Sequence, residues 1–232
     1  MVLGSPNNVA PLDEAELLER AAGLAGRNLG ELGAATGREV PPDLRRAKGW
    51  VGQLMESLLG ATAASRAEPD FPQLGIELKT LPVDVRGKPL ESTFVCTIEL
   101  PEMSRAEWAT SRLQKKLARV LWVPVEGTRS LAVAQRRVGT PFLWQPDVDE
   151  ARLLRQDWEE LSSLIARGRT SELTAHLGQV LQVRPKAARG ASRRRTLDEE
   201  GALYHEQPKG FYLRATFTAA LLARRLILPR PL

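Results

Sequence analysis

Pro69-Asp70-Phe71-Pro72-Gln73-Leu74-Gly75-Ile76-Glu77-Leu78-Lys79 is the stretch on which the fold turns. Its acid, Asp70, stands between two prolines, where a helix cannot continue. A short strand follows. Side chains alternate faces along a strand, so Ile76 and Leu78 point one way and Glu77 and Lys79 the other. A fold that returns Asp70 to the polar face gathers two carboxylates and an ammonium in one small volume. Such hard oxygen donors suit Mg²⁺, which keeps several waters and completes its shell with substrate phosphate. Bound Mg²⁺ generates hydroxide and stabilises charge on a phosphate, and a neighbouring lysine steers the attacking water. That is the chemistry of a phosphodiester nuclease. Glu-x-Lys is also the ordinary pattern of a solvated strand edge, so the stretch alone leaves both readings open.

The rest of the chain sets bounds. Its 232 residues suffice for one large domain or two modest lobes with a real core. The net charge of +5 favours a polyanionic partner. A single cysteine, Cys96, excludes an intrachain disulfide and a zinc site built from several cysteines. The polar N-terminal segment lacks a signal-like apolar region, and no run is long enough to span a membrane. A cytoplasmic protein is the expectation. His176, read on a helix, and His205, read in a loop, are too few and too far apart for a metal site. No Gly-rich phosphate loop is present, so any ATP dependence would come from a partner.

Taken in order, Asp13-Glu14-Ala15-Glu16 has the form of a capping box, and a first helix follows to about Gly26. A second runs from Leu29 to Thr36. Lys48 to Gly60 is strongly amphipathic, with Trp50, Val51, Leu54, Met55, Leu58 and Leu59 on one stripe. Glu56 lies off its centre. It is either a solvent glutamate or, if this helix packs beside the strand from residue 75, a further acid of the same site. Thr93 to Leu100 alternates as a strand, with Phe94, Cys96 and Ile98 on one face. A helix carrying Lys115 and Lys116 follows. Strands are expected over Ala118 to Val125 and Leu131 to Val138. A long helix begins at Asp147, capped by Glu150, with Val148, Leu154, Trp158, Leu161 and Ile165 inward. A shorter helix covers about 172–177, Val180 to Val183 is a strand, and Gly210 to Ala215 is another. Arg184 to Arg195 holds six cations and no acid. It reads as a basic loop, either solvated surface or a groove reader, since Arg and Lys bond guanine edges. Strands interleaved with helices throughout imply an α/β fold around a mixed β-sheet with flanking helices.

An ordered set of blocks then coincides: Lys48-Gly49-Trp50, Glu56, Pro69-Asp70, Gly75 to Thr80, Thr93-Phe94, Lys116 with Leu121 to Val125, Arg184-Pro185-Lys186, and Phe211 to Ala215. Together they resemble the MutH family of DNA mismatch-repair endonucleases, among the nucleases that share a Pro-Asp…acid-x-Lys motif. The resemblance runs from about residue 13 to residue 226. It implies a restriction-endonuclease-like fold, a single nuclease domain over 1–232 shaped as a two-armed clamp around a DNA cleft. Residues of about 13–125 would form the arm with the catalytic motif, and about 131–228 the arm with the DNA-reading loop. The implied activity is nicking of the unmethylated strand at hemimethylated GATC sites, by a monomer. It requires Mg²⁺, with Mn²⁺ as a substitute and Ca²⁺ bound without turnover. MutL would activate it after mismatch recognition by MutS.

Carried over residue by residue, Asp70, Glu77 and the Leu78 carbonyl match metal ligands. Lys79 matches the lysine that positions water or stabilises the phosphate, and Glu56 an accessory acid. Lys48, Gly49 and Lys116 match residues near the DNA, although either lysine could be plain surface. Arg184, Pro185 and Lys186 match the loop that enters the groove. Tyr212 matches the residue that faces the target adenine and senses its methyl group; a core tyrosine is the plainer alternative. Phe94 matches a base-contacting position that an alternating strand also explains as core. Two stretches depart from the family: Arg189 to Arg195 is richer in arginine, and Ala223 to Leu232 has no clear match. A GATC restriction enzyme cutting both strands is the nearest competing activity. A DNA-binding adaptor with a dead nuclease fold is a third, against which the intact Asp70, Glu77 and Lys79 argue.

Overall fold

The computed structural model describes residues 9–63, 67–99, 103, 105–174, 176–186, 194–197, 203–206 and 208–225. Contacts gather the chain into two units, one formed by Met1–Leu90, Ala118–Gln145 and Leu221–Leu232, the other by Glu91–Leu117 and Pro146–Ala220. This grouping differs from a division near residue 125. Strand pairing, rather than proximity along the chain, decides it: β1 (Glu77–Val83) pairs with β3 (Val120–Glu126), whereas β2 (Thr93–Thr97) pairs with β8 (Lys209–Leu213).

In the first unit, α1 (Glu14–Ala22) starts where the sequence places it, with Asp13 accepting from the Glu16 amide at 2.8 Å. Asn28 and Glu31 cap α2 (Leu29–Ala35) reciprocally. α3 (Trp50–Leu59) buries Leu54, Met55 and Leu59 of its apolar stripe. These helices cover one face of a small sheet, ordered β1, β3 and β4 (Phe142–Trp144), in which β1 and β3 run parallel and β3 and β4 antiparallel. Leu78 of β1 and Leu121, Val123 and Val125 of β3 supply the sheet's share of that core. The opposite face is also apolar at Val120 and Trp122, as a parallel pair requires. Leu131 to Val138 is not a strand. It holds a short 3₁₀ turn, Val133–Gln135, packed against α2, and the Arg136 carbonyl there receives the Leu29 amide. Only Val138 bridges to β3, at Val125.

In the second unit, β8 lies between β2 and β5 (Leu181–Pro185), antiparallel to both. α4 (Arg112–Leu117) and α5 (Val148–Ala166) belong to this unit, and Asp147 and Glu150 cap α5 as the sequence indicates. Val148 is 87% exposed, against expectation, and Glu150 is buried in the first turn instead, held by the Asp147 amide. The helix expected over 172–177 shrinks to a 3₁₀ turn, Thr170–Glu172. His205 lies in a strand rather than a loop: β7 (Leu203–Glu206) pairs with β6 (Arg194–Leu197). α6 (Ala215–Arg225) ends the described chain. Thus the α/β class is observed, while the expected mixed sheet resolves into three small ones among the described residues.

The entry to β5 is fixed by a buried carboxylate. Asp157 of α5 is 2% exposed and accepts the amides of Gln179, Val180 and Leu181 at 2.6–2.9 Å. Arg214 grips the same turn from the other side, donating to the carbonyls of Leu177 (2.7 Å) and Gly178 (3.0 Å). Gly178 has φ +78°, and a Cβ there would lie 2.3 Å from the Leu181 carbonyl oxygen, so only glycine fits. Removing the carboxylate strands buried amides. Asp157→Ala is expected to cost about 3 kcal/mol and to lower the thermal midpoint by roughly 6–12 °C. Asp157→Asn, whose amide oxygen still accepts, should lose less. Equal midpoints for wild type and the alanine variant would refute the role.

Candidate active site and nucleic-acid face

β1 is an edge strand: its inner side faces β3, where the Glu77 amide donates to the Arg119 carbonyl at 3.0 Å. Leu78 therefore presents its backbone to the open side. The Leu78 amide donates to Asp70 Oδ2 at 2.8 Å. A strand residue's N–H and C=O point to the same side, so the Leu78 carbonyl also faces the edge where Asp70 sits. Asp70 reaches this position through a tight return. Phe71 and Ile76 exchange backbone bonds (2.9 and 3.3 Å), Phe71 is fully buried, and the Asp70 carbonyl accepts the Thr62 and Ala63 amides.

On the polar face, Glu77 and Lys79 stand two residues apart, as alternation requires. Glu77 is 1% exposed, and Lys79 Nζ donates to its Oε1 at 2.5 Å. A buried ion pair of this geometry satisfies both charges at the cost of desolvating them. Trp122 is the register partner of Lys79 and walls this face. α3 packs on β1 and brings Glu56 within range of the other charges. Burial raises the Glu56 carboxyl above its ordinary range; Asp70 and Glu77 push the same way, while Lys79 and Arg38 oppose them. Of the two open readings of Glu56, the geometry favours membership of this cluster.

Two carboxylates and a strand carbonyl are hard oxygen donors of the kind a divalent cation of Mg²⁺ type takes, with room left for water and phosphate oxygens. No group of three or more His, Cys, Asp or Glu able to hold a metal occurs among the described residues, so any such ion would lean on the backbone carbonyl and on solvent or substrate.

The reading candidates converge on the outer face of the second unit's main sheet. Phe94 of β2 and Gln182 of β5 flank Tyr212 of β8 in register. Phe94 and Tyr212 meet edge to face, with centroids 5.3 Å apart. Arg184 lies over the Tyr212 ring at 5.9 Å and donates to Ser92 Oγ at 2.7 Å. Lys186 lies over the Phe94 ring at 4.9 Å and donates to Thr97 Oγ1 at 3.1 Å. Arg184, Pro185 and Lys186 are all exposed; Pro185 ends β5. Burial raises the Tyr212 hydroxyl pKa, with Arg184 opposing and Glu91 adding.

Phe94 is thus half-buried on the outer face instead of in the core. The register slips between Phe94 and Cys96, so Val95 and Cys96 are both buried and the simple alternation fails. The slip is accommodated by Gly210, whose Cβ would stand 2.8 Å from the Phe94 ring and 3.0 Å from the Cys96 carbonyl. Lys48 and Gly49 are exposed at the start of α3, in the first unit. Lys116 differs: on α4 it is only 6% exposed, so it is not a plain surface lysine. The run Arg184 to Arg195 is described only at its ends, and residues 187–193, with most of the arginine-rich part, lie outside the described residues; so do residues 226–232 of the tail. Ser92, Thr97, Gly210 and Asp157 also shape these sites. Their partners lie tens of residues away, and no local pattern marks them.

A carboxylate-and-lysine strand with a second acid held at its edge has the makeup expected of the Pro-Asp…Glu-x-Lys class of nucleases. Comparison narrows the class. The family profile described as "DNA mismatch repair enzyme MutH" matches residues 59–157. The DNA mismatch repair protein MutH of Serratia proteamaculans is 52% identical over 224 residues, covering 97% of this chain and 98% of the relative. Those of Shewanella sp. (strain ANA-3) and Yersinia enterocolitica are 53% and 51% identical over 92% and 94% of this chain, each with 96% of the relative covered. The chain belongs to the MutH family of DNA mismatch repair enzymes. Among the described residues no helix is long and apolar enough to cross a membrane.

The raised Glu56 carboxyl carries a stability signature. Its folded pKa lies above the unfolded one, so its stabilising contribution is present at low pH and lost as pH rises through the folded value. Glu56→Gln removes the penalty of the ionised form. Without divalent cation, the variant's melting midpoint should exceed wild type by about 1–3 °C near pH 8, and the gap should close towards about pH 4. A variant less stable than wild type near pH 8 would contradict this account.

Proposed function

We propose that this enzyme nicks the unmethylated strand of hemimethylated GATC duplexes, using Mg²⁺ held by Asp70, Glu77 and the Leu78 carbonyl, and that MutL activates it after MutS has found a mismatch. The observation that carries this reading is the shared edge of β1, where the Asp70 carboxylate bonds the Leu78 amide beside the Glu77–Lys79 pair. Membership of the MutH family supports the choice of reaction. When bound, Mg²⁺ would supply a water more acidic than bulk water and a positive charge beside the scissile phosphate; Mn²⁺ would substitute, and Ca²⁺ would support binding without turnover.

The chain's own residues do the rest. Lys79, steadied by Glu77, donates to the attacking water and offsets the charge that grows on the phosphate. Glu56, with its carboxyl shifted towards neutrality, exchanges a proton with solvent at the site. Lys48 and Gly49 engage the backbone near the cut, and Lys116, being buried, acts through its charge. Arg184 and Lys186 read base edges, with Pro185 stiffening the end of their strand. Tyr212, beside Phe94, offers a flat face on which an adenine N6-methyl group is felt. One unit cuts and the other chooses. The chain works as a monomer and cuts one strand per binding event.

The test uses Mg²⁺, MutL and three duplexes: hemimethylated, unmethylated and fully methylated GATC. The first two should be nicked and the third spared. A concerted double-strand break would favour the restriction reading, and no cleavage of any duplex would leave only an adaptor. Asp70→Ala should abolish nicking by at least about 10³-fold, the scale on which a lost electrostatic group acts, while binding in Ca²⁺ persists; loss of both would move Asp70 from metal ligand to structural post. Tyr212→Ser should blunt methyl discrimination more than it slows nicking of unmethylated sites. Retained discrimination would remove Tyr212 from the sensor role.

A further inference from the structure

Arg184 and Lys186 stand on the same face at the end of β5, two residues apart, and both side chains run across β8, one to Ser92 just before β2 and the other to Thr97 at its end. Between them and β2 the register position is Gly210, paired with both Arg184 and Thr97, which has no side chain to block the crossing. Each cation ends in the same kind of seat, one hydroxyl and one ring. Arg184 has Ser92 Oγ at 2.7 Å and the Tyr212 ring at 5.9 Å; Lys186 has Thr97 Oγ1 at 3.1 Å and the Phe94 ring at 4.9 Å. An exposed arginine or lysine ordinarily samples many rotamers and loses that freedom on binding. A side chain already held in one geometry loses less, and it meets a wrong base edge without slack to adapt.

We propose that Ser92 and Thr97 are positioning residues for site choice: their hydroxyls aim Arg184 and Lys186 and so set how sharply a GATC site is told from a near match. This rests on the reading of Arg184 and Lys186 as base readers. A hydroxyl suits the task because it accepts from the cation and keeps its own O–H as a donor. The rings alone constrain less, since attraction to a π face holds a cation over an area and leaves its direction loose. The aromatic pair and the two hydroxyls thus divide the work, one fixing height above the sheet and the other fixing azimuth.

The test measures kcat/KM for the full-length chain, with Mg²⁺ and MutL, on a GATC duplex and on duplexes with one base pair changed. Thr97→Val keeps the branched shape and removes the hydroxyl; Ser92→Ala does the same at the other seat. In each variant the cognate-to-near-match ratio should fall about 3- to 10-fold, the scale of one net hydrogen bond. Thr97→Ser should restore it. The slope of log binding constant against log salt should stay at the wild-type value, since no charge is removed. An unchanged ratio, an equal loss on every duplex, or a serine variant as poor as the valine one would each overturn the inference. If wild type itself showed no GATC preference, the base-reader role would fall, and this inference with it; unchanged discrimination in the variants sinks this inference alone.

Discussion

The bond from the Leu78 amide to the Asp70 carboxylate is the constraint from which the chemistry of the first unit follows. An edge strand has amides with no partner strand, and here one of them is taken by a side chain that the sequence holds between two prolines. The bond does two things at once. It closes the return from Asp70 to Ile76, whose buried Phe71 anchors it in the core. It also sets a carboxylate beside a strand carbonyl, next to the face carrying Glu77 and Lys79. Hard donors are thereby held by backbone geometry, which is stiffer than any side chain could supply alone.

The same crowding that makes this cluster useful makes it costly. Glu77 is buried and has an ammonium 2.5 Å away, whereas Glu56 is half-buried and feels two neighbouring carboxylates. Its carboxyl is therefore pushed towards the neutral form. The apolar stripe of α3 packs beside this polar seam, and Trp122, the register partner of Lys79, is fully buried. The second unit shows the parallel case. Asp157 and Arg214 hold the turn before β5 from opposite sides, and the strand they launch carries Arg184 and Lys186 into position three and five residues later.

Much of this was legible in order along the chain, because it depends on local rules. Capping residues announced α1 and α5, the apolar stripe announced α3, and period-2 alternation placed Glu77 and Lys79 on one face. Local rules failed where a distant partner intervened. Leu131 to Val138 looks like a strand but packs as a 3₁₀ turn on α2, whose first amide needs the Arg136 carbonyl. Phe94 looks like core in an alternating strand, but the register slip between Phe94 and Cys96 leaves it outward to meet Tyr212. Lys116, a basic residue on a short helix that resembles a DNA-near position and could equally be plain surface, is buried.

By itself, then, the sequence determined the chemical vocabulary and its local presentation: an acid at a turn, an acid and a lysine on one strand face, a basic segment, an aromatic residue near the end of the chain. These follow from steric limits at proline and from strand and helix periods, which act over a few residues. Only the tertiary structure decided which of them meet. Asp70 joined Leu78 because β1 is an edge; Glu56 joined them because α3 packs on β1; Arg184, Lys186, Phe94 and Tyr212 came to one face because β8 pairs with strands more than eighty residues apart in the chain. Such pairings are selected by the burial of whole faces, and that free energy is a property of the folded set of elements, which no single stretch contains.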